Sequence, residues 1–304
     1  MLSEPLLQSD EREYAPVPPG DEFLMRAGCE FVYRTQNFVP VITQIHARPT
    51  PVPVADRYKT TWQAWNLQAQ DGREIPVHDY VDADGNRVAR FILPPGESRF
   101  GYDGRFLVPT SPDPQVLEAT QQPVEEIPDE VLVYLLSSRY CHSDVVADQA
   151  WKLFGAAKPG WGRVQAVSDW LHANIKYRSG ASNPFTTAVD VLNQSAGICR
   201  DFANTGITFC RALNIPARYC FGYMPDVGVK VDPVPMDFHA WFEVWLVGPT
   251  GGAWHTFDAR HNFPRIGRVP IARGRDAVDC AMITNFGSAE LVSMTVWAEP
   301  DAQH

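Results

Sequence analysis

The sequence predicts an α+β protein in which a β-rich N-terminal region precedes a core of helices packed on an antiparallel sheet. Three observations lead there. Runs of β-branched and aromatic residues broken by turn residues fill the first third of the chain, helical apolar spacing takes over near residue 129, and strict alternation returns after residue 217. Strands first and helices later, without regular βα alternation, separate this pattern from a parallel-sheet protein. With 304 residues, 45% of them hydrophobic and 12% aromatic, the chain can bury a large core. Its 20% charged content and 26 prolines argue against long helices.

Taken in order, residues 1–21 read as a flexible tail with neither the basic start nor the apolar run of a secretion signal. Residues 22–112 form the β-rich domain through "CEFVYRT", "FVPVITQIHA" and "IPVHDYVDADGNRVARFILPP". Asp82 to Asn86 within it is a hairpin turn, because Gly and Asn tolerate positive φ. His46 and His78 fall in strand-like runs and read as structural or solvated. Residues 113–128, rich in Pro and acids, read as a linker, and 129–304 as a second, α+β domain. Asp129 opens a short helix, and Asp144 is expected to cap one that ends at Gly155. Val164, Val167, Leu171 and Ile175 share one helical stripe. Later, "ARYCFGYMP" is a strand, and "DFHAWFEVWLV" and "AWHTFDARHNFPRIG" form a hairpin closed by "GPTGG".

Net charge is −10, and the balance of 36 acidic against 26 basic residues disfavours nucleic acid or an anionic membrane as partner. No window supplies the ~20 apolar residues of a membrane-spanning helix, so the expected location is the cytoplasm. There the six scattered cysteines stay thiols. No Cys or His pair stands at zinc-ligand spacing, so neither a metal nor another cofactor is expected.

Chemistry concentrates in "SAGICRDFANTGITFCRALNIP". Phe202, Ala203, Gly206, Phe209, Cys210 and Leu213 form the apolar face of a helix, which places Cys210 in the core. Cys199 instead sits in the first turn, where unpaired N–H groups and the helix dipole favour a thiolate. It is either a nucleophile or one more buried cysteine. A nucleophile needs a base and the base an orienting group. His239, on the polar side of its strand, and Asp258, on the returning strand, come together if the hairpin register is right. Otherwise they are an ordinary strand His and a surface acid. Cys141 and His142 are adjacent and point apart, while the clustered Trp241, Trp245 and Trp254 read as sheet core.

"GICRDFA", "DFHAWFEVWL" and "WHTFDARHN" resemble the three core motifs of the transglutaminase-like superfamily. "SRYCHSD", "RVQAVSDWLHANIKY", "RALNIPARYCFGY" and "PRIGRVPIARGRDAVD" are similar in type and order to its bacterial members labelled as cysteine proteases, over roughly Phe23 to Trp297. The resemblance implies a papain-like α+β core behind a β-rich domain. It also implies Cys199 as nucleophile, His239 as general base and acid, and Asp258 as orienting carboxylate. The expected activity is thiol-dependent attack on amide bonds of a protein or peptide, hydrolytic rather than cross-linking. A catalytically silent binding or scaffold protein on the same fold is the alternative. Substrate, second oxyanion donor and oligomeric state are left open.

Overall fold

The computed structural model describes residues 13–49 and 55–301. In chain order, its N-terminal part contains β1 (Tyr14–Ala15), β2 (Glu22–Thr35), β3 (Val39–Thr43), β4 (Lys59–Ala69), β5 (His78–Val81), β6 (Arg87–Leu93) and β7 (Gly96–Pro109). The helical part contains α1 (Asp129–Leu132), α2 (Ala147–Phe154), α3 (Trp161–Asn174), β8 (Lys176–Tyr177), α4 (Ala188–Gln194), β9 (Ala196–Gly197) and α5 (Cys199–Ala212). Then follow β10 (Ala217–Tyr223), β11 (Val229–Lys230), β12 (His239–Gly248), β13 (Gly251–Phe257), β14 (Val269–Gly274), β15 (Ile283–Asn285) and β16 (Ala289–Pro300).

Three four-stranded antiparallel sheets carry the architecture, with orders β16-β2-β7-β4, β15-β3-β6-β5 and β13-β12-β10-β14. The β5–β6 hairpin turns at Asp82–Asn86, with Gly85 at φ +77° and Asn86 N–H donating to the Asp82 carboxylate at 2.8 Å. Strands β15 and β16 pair with β3 and β2, so the end of the segment read as a second domain, 129–304, completes the N-terminal sheets. Local pattern contained no cue to this, because pairing between strands so far apart in sequence is set by tertiary packing.

Of the expected tail 1–21, residues 1–12 lie outside the described residues, while Tyr14–Ala15 pairs with Val229–Lys230. The segment 113–128 runs along the third sheet. Thr120 bridges Val247, and the Ala119 carbonyl accepts the Trp161 N–H that opens α3. Asp144 does not cap α2; Val146 occupies that position, and Asp144 accepts the Ser137 hydroxyl at 2.7 Å. Val164, Val167, Leu171 and Ile175 are buried on α3 as their spacing requires.

Helix α5 packs on β12. Gly206 makes the close approach possible, since a Cβ there would lie 2.7 Å from the fully buried Phe242 ring. Strand β12 alternates apolar and polar residues as expected, yet His239, Trp241 and Glu243 are also buried. The polar side of this strand therefore does not face water. Glu243 accepts Arg218 Nε and Arg273 Nε, each at 2.8 Å, and Arg273 Nη1 reaches Asp56 at 3.0 Å. The Arg273 N–H donates to Asn86 Oδ1 at 2.8 Å. This buried ionic cluster joins the N-terminal sheets to the third sheet. Removing one member would leave an uncompensated charge in the interior.

Candidate active site

Cys199 is delivered by a tight α4–β9–α5 connection. Ser195 ends α4 at φ +52°, a left-handed conformation that turns the chain into β9. Gly197 follows, where a Cβ would press to 2.7 Å on the Asp201 side chain. Asp201, buried in the first turn of α5, accepts the Ile198 N–H at 2.8 Å and Arg200 Nε at 3.1 Å. These contacts fix the helix start, where first-turn N–H groups, Cys199 included, have no carbonyl partner within the helix. Among the six cysteines Cys199 alone is not fully buried, whereas Cys210 is fully buried on the packed face.

The hairpin register pairs Phe242 with Phe257, which brings the following residue, Asp258, beside His239. His239 Nε2 lies 2.7 Å from Asp258 Oδ2. That contact assigns the ring proton to Nε2 and leaves Nδ1 a lone-pair acceptor. Nδ1 is buried and has no hydrogen-bond partner among the described residues. His239 and Cys199 line one cleft of about 820 Å³, together with Tyr177, Phe238, Arg260, His261 and further residues.

Asp258 is held by more than His239. Arg268 Nη2 donates to its Oδ2 at 2.9 Å, and His261 Nδ1 lies 3.1 Å from the same oxygen. Because Arg265 donates to His261 Nε2 at 3.1 Å, the His261 proton sits on Nδ1 and is directed at Asp258. Arg268 also donates to Asp113 at 2.7 Å and lies 4.8 Å over the Trp241 ring. Burial opposes the Asp258 charge, but His239 and Arg268 outweigh it and hold the carboxyl well below its ordinary value.

His239 itself is pushed down to about 3, because burial disfavours the imidazolium more strongly than Asp258 favours it. Cys199 is pushed up to about 11 by burial, against the opposing pull of the Ala240 N–H and Arg260. A helix-stabilised thiolate was expected from the position of Cys199; these surroundings instead favour a neutral thiol beside a neutral imidazole. The desolvation of both groups exceeds the effect of the helix terminus.

His239, Asp258 and His261 offer ligand atoms within 4.8 Å of one another, a spacing that could hold a metal ion. Arg268 already occupies Asp258 Oδ2 and Arg265 occupies His261 Nε2, and two guanidinium groups beside the cluster disfavour a dication. Trp245 and Trp254 pack edge-on in the sheet at 5.6 Å, and Cys141 is fully buried, its sulfur 3.4 Å from the Asn204 carbonyl.

The description "Transglutaminase-like superfamily" belongs to the family model that matches residues 149–259, the segment containing Cys199, His239 and Asp258. A crystal structure of a "putative cysteine protease" from Cytophaga hutchinsonii is 30% identical and has a TM-score of 0.78. The similarity covers 94% of this chain and 93% of that one. This chain belongs to the transglutaminase-like superfamily. An uncharacterized Mycobacterium leprae protein is 30% identical over 128 residues, 41% of this chain and 44% of that protein. An uncharacterized Mycobacterium tuberculosis protein is 29% identical over 143 residues, 45% of each. The matches thus span under half the length of these curated relatives.

Sequence reasoning named Cys199, His239 and Asp258, and the fold brings His239 and Asp258 into contact and sets Cys199 in the same cleft. It missed three other parts of this transglutaminase-like site. The sequence reading gives neither His261 nor Arg268 a role, and it places Asp113 in a linker. Their only signal was charge in a region expected to be core-facing or loop. Among the described residues no helix is long and apolar enough to cross a membrane.

Proposed function

We propose that the protein is a thiol-dependent amide hydrolase working through Cys199, His239 and Asp258 by way of a thioester. The observation that carries this reading is the 2.7 Å His239–Asp258 bond, with the free His239 Nδ1 on a residue that shares its cleft with Cys199. A neutral imidazole is a competent base, and the resting thiol supplies the proton.

In the first half-reaction the Cys199 sulfur attacks the carbonyl carbon of a protein or peptide amide while its proton passes to His239 Nδ1. The anionic Asp258, holding Nε2–H, stabilises the imidazolium and fixes its tautomer. Charge on the carbonyl oxygen falls toward the Cys199 N–H at the helix start. His239 then protonates the departing nitrogen, the C–N bond breaks, and a thioester remains. In the second half-reaction water loses a proton to His239 and attacks the thioester, releasing an acid and the Cys199 thiol.

Water is favoured over an amine as acceptor because a cytoplasmic cross-linker would need tight control and the sequence has no calcium-binding signature. Six unpaired cysteines, which suit a reducing compartment, support placement in the cytoplasm. The deciding experiment compares hydrolysis of a peptide pool by the native protein and by Cys199→Ala. Equal product profiles would sink the assignment, and hydrolysis by neither protein would leave the scaffold reading in its place.

A further inference from the structure

The mechanism above leaves the carbonyl oxygen with a single donor. We propose that the Tyr177 hydroxyl is the second oxyanion donor of the site. The inference rests on Cys199 being the nucleophile.

Strands β8 and β9 pair in parallel with Tyr177 opposite Gly197, two residues before Cys199. Lys176 N–H to Ser195 O and Arg178 N–H to Gly197 O, each at 3.0 Å, lock that register on both sides of Tyr177. Tyr177 is 47% exposed and lines the same cleft as Cys199 and His239. Its hydroxyl makes no hydrogen bond to any described residue, so a donor stands uncommitted at the cleft wall.

The ring is not loose. Arg260 lies 3.8 Å from its centroid, and Arg260 is itself paired with Asp232 at 3.5 Å. A guanidinium on the ring face draws electron density from the phenol and strengthens its O–H as a donor. Burial holds the phenol above its ordinary value despite the opposing pull of Arg260, so Tyr177 stays protonated. Ser182 is the competing hydroxyl on the cleft, but its oxygen is shut off from solvent and unpartnered, so no substrate atom reaches it in this conformation.

The test uses the full chain and p-nitrophenyl acetate as acyl donor, reading nitrophenolate release and the acetyl mass on Cys199. Tyr177→Phe keeps the ring under Arg260 and removes only the hydroxyl. Acylation should fall about 100-fold, the loss typical of one oxyanion donor. Alkylation of Cys199 by iodoacetamide at pH 9 should stay within about twofold, because displacement at an sp³ carbon builds no oxyanion. Ser182→Ala should leave both rates unchanged. Acylation by Tyr177→Phe within about threefold of native, with Cys199→Ala inactive, would overturn the inference and spare the nucleophile. A loss in Ser182→Ala with none in Tyr177→Phe would overturn it too. Undiminished acylation in Cys199→Ala would instead overturn the reading beneath it.

Discussion

Asp258→Asn probes how much of the chemistry depends on one carboxylate. In the structure Oδ2 receives His239 Nε2–H, Arg268 and His261 at 2.7, 2.9 and 3.1 Å. Asparagine removes the negative charge and can present an oxygen to only one side. With the amide oxygen toward His239, its NH₂ meets the His261 N–H, a donor against a donor. With the NH₂ toward His239, the imidazole proton must move to Nδ1, the atom that has to accept from Cys199. Either orientation loses the attraction between imidazolium and carboxylate. At roughly 4 Å and an effective dielectric near 20, that attraction is about 4 kcal/mol. At about 1.4 kcal/mol per tenfold this is close to 10³ in rate, and a wrong tautomer extends it toward about 10⁴. The assay is p-nitrophenyl acetate acylation per titratable thiol, with folding checked by circular dichroism. Iodoacetamide labelling at pH 9 serves as the control and should change little, since it needs no imidazolium. Acylation within about fivefold of native would refute the reasoning.

The thiol itself should titrate late. With Cys199 near 11 and His239 near 3, alkylation should climb with pH from 6 to 10; a fast plateau between about pH 5 and 7 would mean a preformed ion pair. Gly206→Val should force the middle of α5 away from β12, costing about 3 kcal/mol of stability in urea titrations and most of the acylation rate. A variant as stable as native would show that the helix can slide. Glu243, held down to about 2 from 4.5 despite its burial by Arg273 and Arg218, stabilises the fold above pH 4.5. That stability is lost as the pH falls from 4.5 toward 2. Glu243→Gln should lower stability by about 3–5 kcal/mol at neutral pH and flatten the acid limb of thermal unfolding, and an unchanged acid limb would contradict the cluster's role.

Much of the site was legible because its parts lie in strongly patterned elements. The alternation of β12 put His239 on the polar face, the "GPTGG" turn set the returning strand, and the apolar stripe of α5 separated Cys210 from Cys199. What was not legible depends on chain segments meeting at a distance. Nothing near Ala289–Pro300 announces that it will pair with Glu22–Thr35. The alternation of β12 set Glu243 opposite the apolar side without any sign that Arg273, Asp56 and Arg218 arrive from elsewhere to bury it. Arg268 and Asp113 flank Asp258 for the same reason. The helix-terminus argument for a thiolate was sound locally and was overridden by desolvation, which only the packed structure reveals.

The central claim is that Cys199 becomes acylated with His239 as its base. The most direct measurement is peptide-level mass spectrometry after a short incubation with an activated acyl donor and an acid quench. The account predicts one hydroxylamine-labile adduct, on Cys199, absent from Cys199→Ala and strongly diminished in His239→Ala. An unmodified Cys199, or labelling of Cys199 no faster than of the buried Cys210, would contradict it.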